Sequence, residues 1–191
     1  MKQAVKILAF ITISVFVFNH SIAQLKLPVV NSIGPDIKKV IEDYPNHFSN
    51  LQGELIMEHP QSADYQCNFN VNGAEQVIVT QYSSKKIPIG SWQALMLTTE
   101  EFKEAKRKFK TLYNQLNHLT VQASHLTGIY EEPTEEKKFT SVVFSFDNAD
   151  DLKKLKVEIM MAYELMEWKV KVLVYTKERE DNERGNIEES R

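Results

Sequence analysis

Apolar and polar positions change rhythm along the chain. Residues 24–35, QLKLPVVNSIGP, keep no regular period, and Pro28 with Gly34-Pro35 punctuates them as an extended leader. Ile37, Val40, Ile41 and Tyr44 then fall at i, i+3, i+4 and i+7, the apolar stripe of an amphipathic helix. Pro35 suits the first turn of that helix, and Pro45 ends or kinks it. From Glu54 to Leu97 the period drops to two. Tyr65, Cys67, Phe69 and Val71 alternate with Gln66, Asn68, Asn70 and Asn72, which predicts a half-buried strand closed by an Asn72-Gly73 turn. Glu75 to Tyr82 reads as the return strand. Ser91 to Leu97 is a further one, beyond the Lys85-Lys86 loop and Pro88.

The helical period returns from Glu100 to His118. Thr98 followed by Glu101 has capping-box spacing. Phe102, Ala105, Phe109, Leu112, Tyr113 and Leu116 share one face, and Lys103, Lys106, Arg107, Lys108 and Lys110 occupy the opposite surface. Such a basic face is either a docking patch, with Lys103, Arg107 and Lys110 at its centre, or a solvated surface; charge runs on helices favour solvation. Strands are then predicted at Leu119 to Tyr130, Phe139 to Phe146, Lys156 to Leu165 and Trp168 to Thr176. In the last pair Val157, Ile159, Met161, Tyr163 and Leu165 oppose Lys156, Glu158 and Glu164, while Trp168, Val170, Val172 and Val174 oppose Lys169 and Lys171. One dry and one wet face mark an antiparallel sheet covered on one side.

The expected architecture is therefore one α+β domain over residues 36–177. A twisted antiparallel sheet of about seven to eight strands carries two amphipathic helices on one face, with Trp92, Phe102, Phe109, Phe144 and Trp168 in the core. Residues 178–191 are charged and nearly free of apolar side chains, the composition of a flexible tail.

The N-terminal residues add a destination. Lys2 and Lys6 precede the apolar run Ile7 to Phe18, and Ser21-Ile22-Ala23 offers small residues around a cut, so residues 1–23 read as a signal peptide cleaved after Ala23. The run of 12 residues is short of the roughly 18–20 that span a bilayer. Cleavage leaves 21 basic against 26 acidic residues, a balance that lacks the basic footprint nucleic acid requires. The expected product is periplasmic or extracellular, with no membrane span in the mature chain. Cys67 is the single cysteine and cannot form an internal disulfide. Between Tyr65 and Phe69 on the dry face, it is expected to be a buried core residue that labels slowly in the native state.

The segments PNHFSNLQGE, QYSSKK, SWQALMLTTEEFKEAKRKFKTLYNQLN, EEPTEEKKFTSVVF and EWKVKVLVYTKERED resemble a family of small exported proteins of the Bacteroidetes type. The resemblance covers most of the mature chain. It implies export and a single domain, and it carries no catalytic residue.

Recognisable chemistry is sparse. There is no G-x-S-x-G elbow and no glycine-rich phosphate loop, and His47, His59, His118 and His125 lack metal-site spacing. DNADD, Asp147 to Asp151, fails as a calcium loop because Ala149 and Leu152 stand where a ligand and glycine belong. No catalytic, metal-binding or cofactor-binding residue is assigned, and no cofactor is implied. Methionines near one hairpin end remain: Met160, Met161 and Met166, soft side chains that suit adaptable apolar surfaces. The leading expectation is a non-catalytic binding or interaction module of the cell envelope, contacting an unknown protein through its helix–sheet crevice or open sheet face. A second reading is a carrier of a small apolar ligand in a cavity lined by Met96, Phe109, Met161 and Tyr163; Met160, expected on the other strand face, would be an exposed edge of a ligand site or a spot covered by the leader. An envelope enzyme without a recognisable motif is the third.

Overall fold

The structure, a computed structural model, describes residues 32–83, 89–146 and 150–176. Residues 1–23, read from sequence as a signal peptide, residues 24–31 of the expected leader, the Lys85-Lys86 loop, Asp147 to Ala149 and the charged tail lie outside the described residues. Within them, α1 (Gly34–Glu42) precedes β1 (Gln52–His59), β2 (Ser62–Cys67), β3 (Gln76–Tyr82) and β4 (Ile89–Thr99). Then come α2 (Phe102–Leu116), β5 (Thr120–Val121), β6 (Ser124–Thr127), β7 (Phe139–Phe146), β8 (Leu155–Glu164) and β9 (Glu167–Thr176). The α+β class and the single antiparallel sheet match the alternation in the sequence. The strand count does not: the sheet has nine strands, in the order β1-β2-β3-β4-β9-β8-β7-β6-β5. Two strands go beyond the seven named from sequence: β1, and a second strand from the run Leu119 to Tyr130, which turns back on itself as β5 and β6. Gln122 and Ala123 take positive φ there, a conformation that these residues rarely adopt and do not advertise.

Both helices form where the apolar stripe called for them. In α1, Pro35 stands in the first turn, Ile37, Val40 and Ile41 are buried, and Asp36 and Lys39 complement the two ends of the dipole. Gly34 and Pro35, read from sequence as the end of the leader, are its first residues. Tyr44 falls in a short 3₁₀ turn with Pro45. In α2, Ala105, Phe109, Leu112 and Leu116 are buried. The expected capping box does not form: Glu101 is the N-cap and has no side-chain cap hydrogen bond, while ahead of it Thr99 Oγ1 accepts from the Glu101 amide at 3.2 Å and donates to Glu104 at 2.7 Å. Thr98 instead binds Glu75 through its amide and hydroxyl, both at 2.8 Å.

One hydrophobic cluster joins α1, α2 and a single face of the sheet. Trp92, Phe109, Phe144 and Trp168 are buried in it, and the partly buried Phe102 packs on Trp168 with ring centroids 5.2 Å apart. Cys67 is only 8% exposed and belongs to the same cluster. Strand β2 ends at Cys67, earlier than its alternation implies, yet Phe69 and Val71 continue to pack on the cluster. The loop that follows is held by α1: Lys39 lies 3.9 Å from the centroid of Phe69, and Asp36 accepts from the Asn72 amide at 2.9 Å. Gly73 supplies the positive φ of 71° that the turn demands. No helix among the described residues is long and apolar enough to cross a membrane.

Candidate functional site

Strand register builds a surface on the face of the sheet opposite the cluster, which no described helix covers. Alternation sends Val77, Val79, Trp92, Ala94, Val172 and Val174 to the core, so Gln76, Ile78, Gln93, Leu95 and Lys171 project the other way. The pairing places Gln76, Leu95, Lys171, Met160 and Ser141 in one cross-strand row. Gln66, Ile78, Gln93, Leu173, Glu158 and Val143 form the next. Between these rows Gln76, Ile78, Gln93, Leu95, Lys169 and Lys171 enclose a concavity of about 160 Å³.

Charged groups border it. Glu164 lies 3.2 Å from the Lys171 ammonium and 3.8 Å from that of Lys169. One carboxylate thus serves two cations beside an apolar floor of Ile78 and Leu95, and strand alternation sets Glu167 and Glu158 on the same face. The Gln76 and Gln93 amides add neutral donors and acceptors. Further along, the Tyr175 hydroxyl donates to Glu158 at 2.8 Å. Such a ring suits an anionic group attached to a short apolar body. It contains no nucleophile paired with a base, the minimum for covalent catalysis.

A larger concavity of about 410 Å³ adjoins the first through Gln76. Ile56, Cys67, Phe69, Val71 and Val77 supply its apolar lining, and Gln66, Asn70 and Glu75 its polar lining. Glu75 is occupied by Thr98. Lys108 approaches it from α2, where burial lowers the lysine pKa and the Glu75 charge partly restores it.

The residues proposed from sequence do not converge. Met96, Phe109 and Met161 are buried in the closed core. Tyr163 is exposed at the end of β8, stacked on Trp168 at 5.1 Å with the Lys138 ammonium 4.5 Å from its ring. Met160, half-buried, lies on the helix-free face opposite Lys171. Strand alternation separates the two adjacent methionines. Neither concavity is lined by any of these five. The residues that do line the smaller one read in sequence as an ordinary wet face; the available signal was Ile78 and Leu95, apolar residues in wet positions. On α2, Lys103, Arg107 and Lys110 are exposed, while Lys106 pairs with Glu132 at 2.8 Å.

Histidines are used locally. His59 lies 3.3 Å from Asp64, and His125 Nδ1 lies 3.0 Å from the Thr120 hydroxyl. Among the described residues no three of His, Cys, Asp and Glu gather as a metal set. Comparisons with protein-family models, curated proteins and solved structures give no match.

Proposed function

We propose that this chain is an exported, non-catalytic binding module that takes a small anionic amphiphile on the helix-free face of its sheet. The observation that carries the reading is the shared carboxylate: Glu164 faces both Lys169 and Lys171 beside a floor of Ile78 and Leu95. An incoming carboxylate or similar anion would compete with Glu164 for two ammonium groups, and charge-assisted hydrogen bonds of that kind are the stronger ones. Export rests on the pattern of residues 1–23 and on the resemblance to small exported proteins. The carrier reading requires a cavity among Met96, Phe109, Met161 and Tyr163, and the first three are instead packed against their neighbours.

Native mass spectrometry of the protein purified from its own envelope tests the proposal. We expect a chain beginning at Gln24 that retains a small acid, and loss of that acid in the Lys169→Gln/Lys171→Gln variant. Retention of a neutral apolar molecule, or of any ligand indifferent to the two lysines, would contradict it.

A further inference from the structure

A second surface lies at the β1 edge of the sheet. Among the described residues, strand β1 pairs only with β2, so its outer N–H and C=O groups have no strand partner there. Leu55, Ile56 and Met57 are 50%, 46% and 54% exposed. Register shows that they do not form a patch on one face. Leu55 lies opposite Tyr65 and Met57 opposite Asp64; Tyr65 and Asp64 are neighbours in β2 and so point to opposite faces. A ligand lying on either face covers only part of this apolar surface. A strand added alongside covers both parts and pairs the backbone as well.

Strand β1 keeps some of the usual safeguards of an edge, bulges and exposed carboxylates, and lacks others. Native edges are kept short or carry lysine, proline or bulges. The opposite edge, β5, is two residues long. By contrast β1 has eight residues and no lysine or proline, and beyond its irregularities at Gln52/Leu55 and Leu55/Met57 it pairs regularly from Met57 to His59.

Charge selects the occupant. From Val40 to Ser84 the chain contains no lysine or arginine, and it contains Glu42, Asp43, Glu54, Glu58, Asp64 and Glu75. Glu54 and Glu58 are exposed and flank the apolar triplet. A second copy would bring this acidic stretch against its own like, and like charges across a strand pair are destabilising. We infer that β1 is a docking edge for an extended segment of another protein, apolar at its centre and basic on both flanks, which adds as a further strand. Its cations would then stand opposite Glu54 and Glu58. This surface is independent of the site on the helix-free face.

A labelled peptide, acetyl-SKVIVKS-amide, tests the inference by fluorescence anisotropy, with acetyl-SEVIVES-amide as the counterpart. We expect saturable binding of the basic peptide, about tenfold tighter than that of the acidic one, with amide exchange slowed along Gln52 to His59. In the Glu54→Lys/Glu58→Lys variant, checked for native fold by circular dichroism, the preference should reverse. Equal binding of both peptides, no binding, or protection elsewhere on the sheet overturns the proposal. So does a protein that is dimeric at micromolar concentration with β1 already protected, because its own copy then holds the edge.

Discussion

Asp43 is the residue on which the first connection depends. Its carboxylate is buried and accepts from Asn46 Nδ2 at 2.8 Å, from the Asn50 amide at 3.1 Å and from Asn50 Nδ2 at 2.7 Å. These bonds hold a turn in which His47 and Phe48 both take positive φ. The turn in turn docks on the sheet: His47 O accepts from Gln81 Nε2 at 2.7 Å, and a Cβ on Gly90 would collide with that carbonyl. We expect Asp43→Ala to lower stability in urea unfolding by about 2–3 kcal/mol, because three donors are left without their acceptor; a loss under about 0.5 kcal/mol would contradict this role, being the range of an ordinary surface substitution. The sequence showed only that Pro45 stops a helix, since the hub requires two residues in a backbone region that neither favours. Tyr130 offers a pH test. Its hydroxyl is buried without a hydrogen bond of good geometry, and burial first, then the neighbouring Glu132 carboxylate, push its pKa from 10.0 up to about 12. A folded-state value above the unfolded one means that the contribution is intact below pH 10 and is lost as pH rises towards 12. Ultraviolet titration should show one tyrosine ionising late, a step missing in Tyr130→Phe. Retention of that step in the variant would assign it elsewhere.

At the scale of elements, the hairpin between β8 and β9 sets local preference against tertiary structure. Leu165 and Met166 carry φ of 53° and 70° and are 88% and 78% exposed. Two-residue turns of this hand prefer Asn-Gly, because bulky side chains are strained at positive φ. Replacing the pair, Leu165→Asn with Met166→Gly, should stabilise the fold by about 1–2 kcal/mol, read as a higher midpoint in thermal unfolding. A lower midpoint would show that the two apolar side chains hold the hairpin by contacts outside it. The same chemistry explains what sequence patterning could and could not reveal. Period two located β7, β8 and β9 almost to the residue, since β7 and the first halves of β8 and β9 alternate between core and solvent. The β5–β6 hairpin stayed hidden because Gln122 and Ala123 carry no turn signature. The capping box expected at Thr98 does not form because Glu75, distant in sequence, takes both the amide and the hydroxyl of Thr98.

For the whole molecule, class and layering were legible and strand order was not. Each half of the sheet is a meander, and the halves join where β4 pairs with β9. That pairing is set by long-range packing beneath α2, which carries the chain from the middle of the sheet to its far edge. A trace of it does exist in sequence: Val172 to Thr176 are all buried, on both faces, as befits a central strand. The candidate site was hidden for the same reason. Gln76, Ile78, Gln93, Leu95, Lys169 and Lys171 come from three strands and become neighbours only once β4 lies beside β9. The claim that binding uses this face rather than the core is tested most directly by nuclear magnetic resonance, titrating hexanoate into isotope-labelled protein. We expect saturable shifts at the Gln76 and Gln93 side-chain amides and the Ile78 and Leu95 methyls, with the Met96 and Met161 methyls unmoved. Shifts centred on Met96 and Met161, or no saturable shift on the helix-free face, would contradict it.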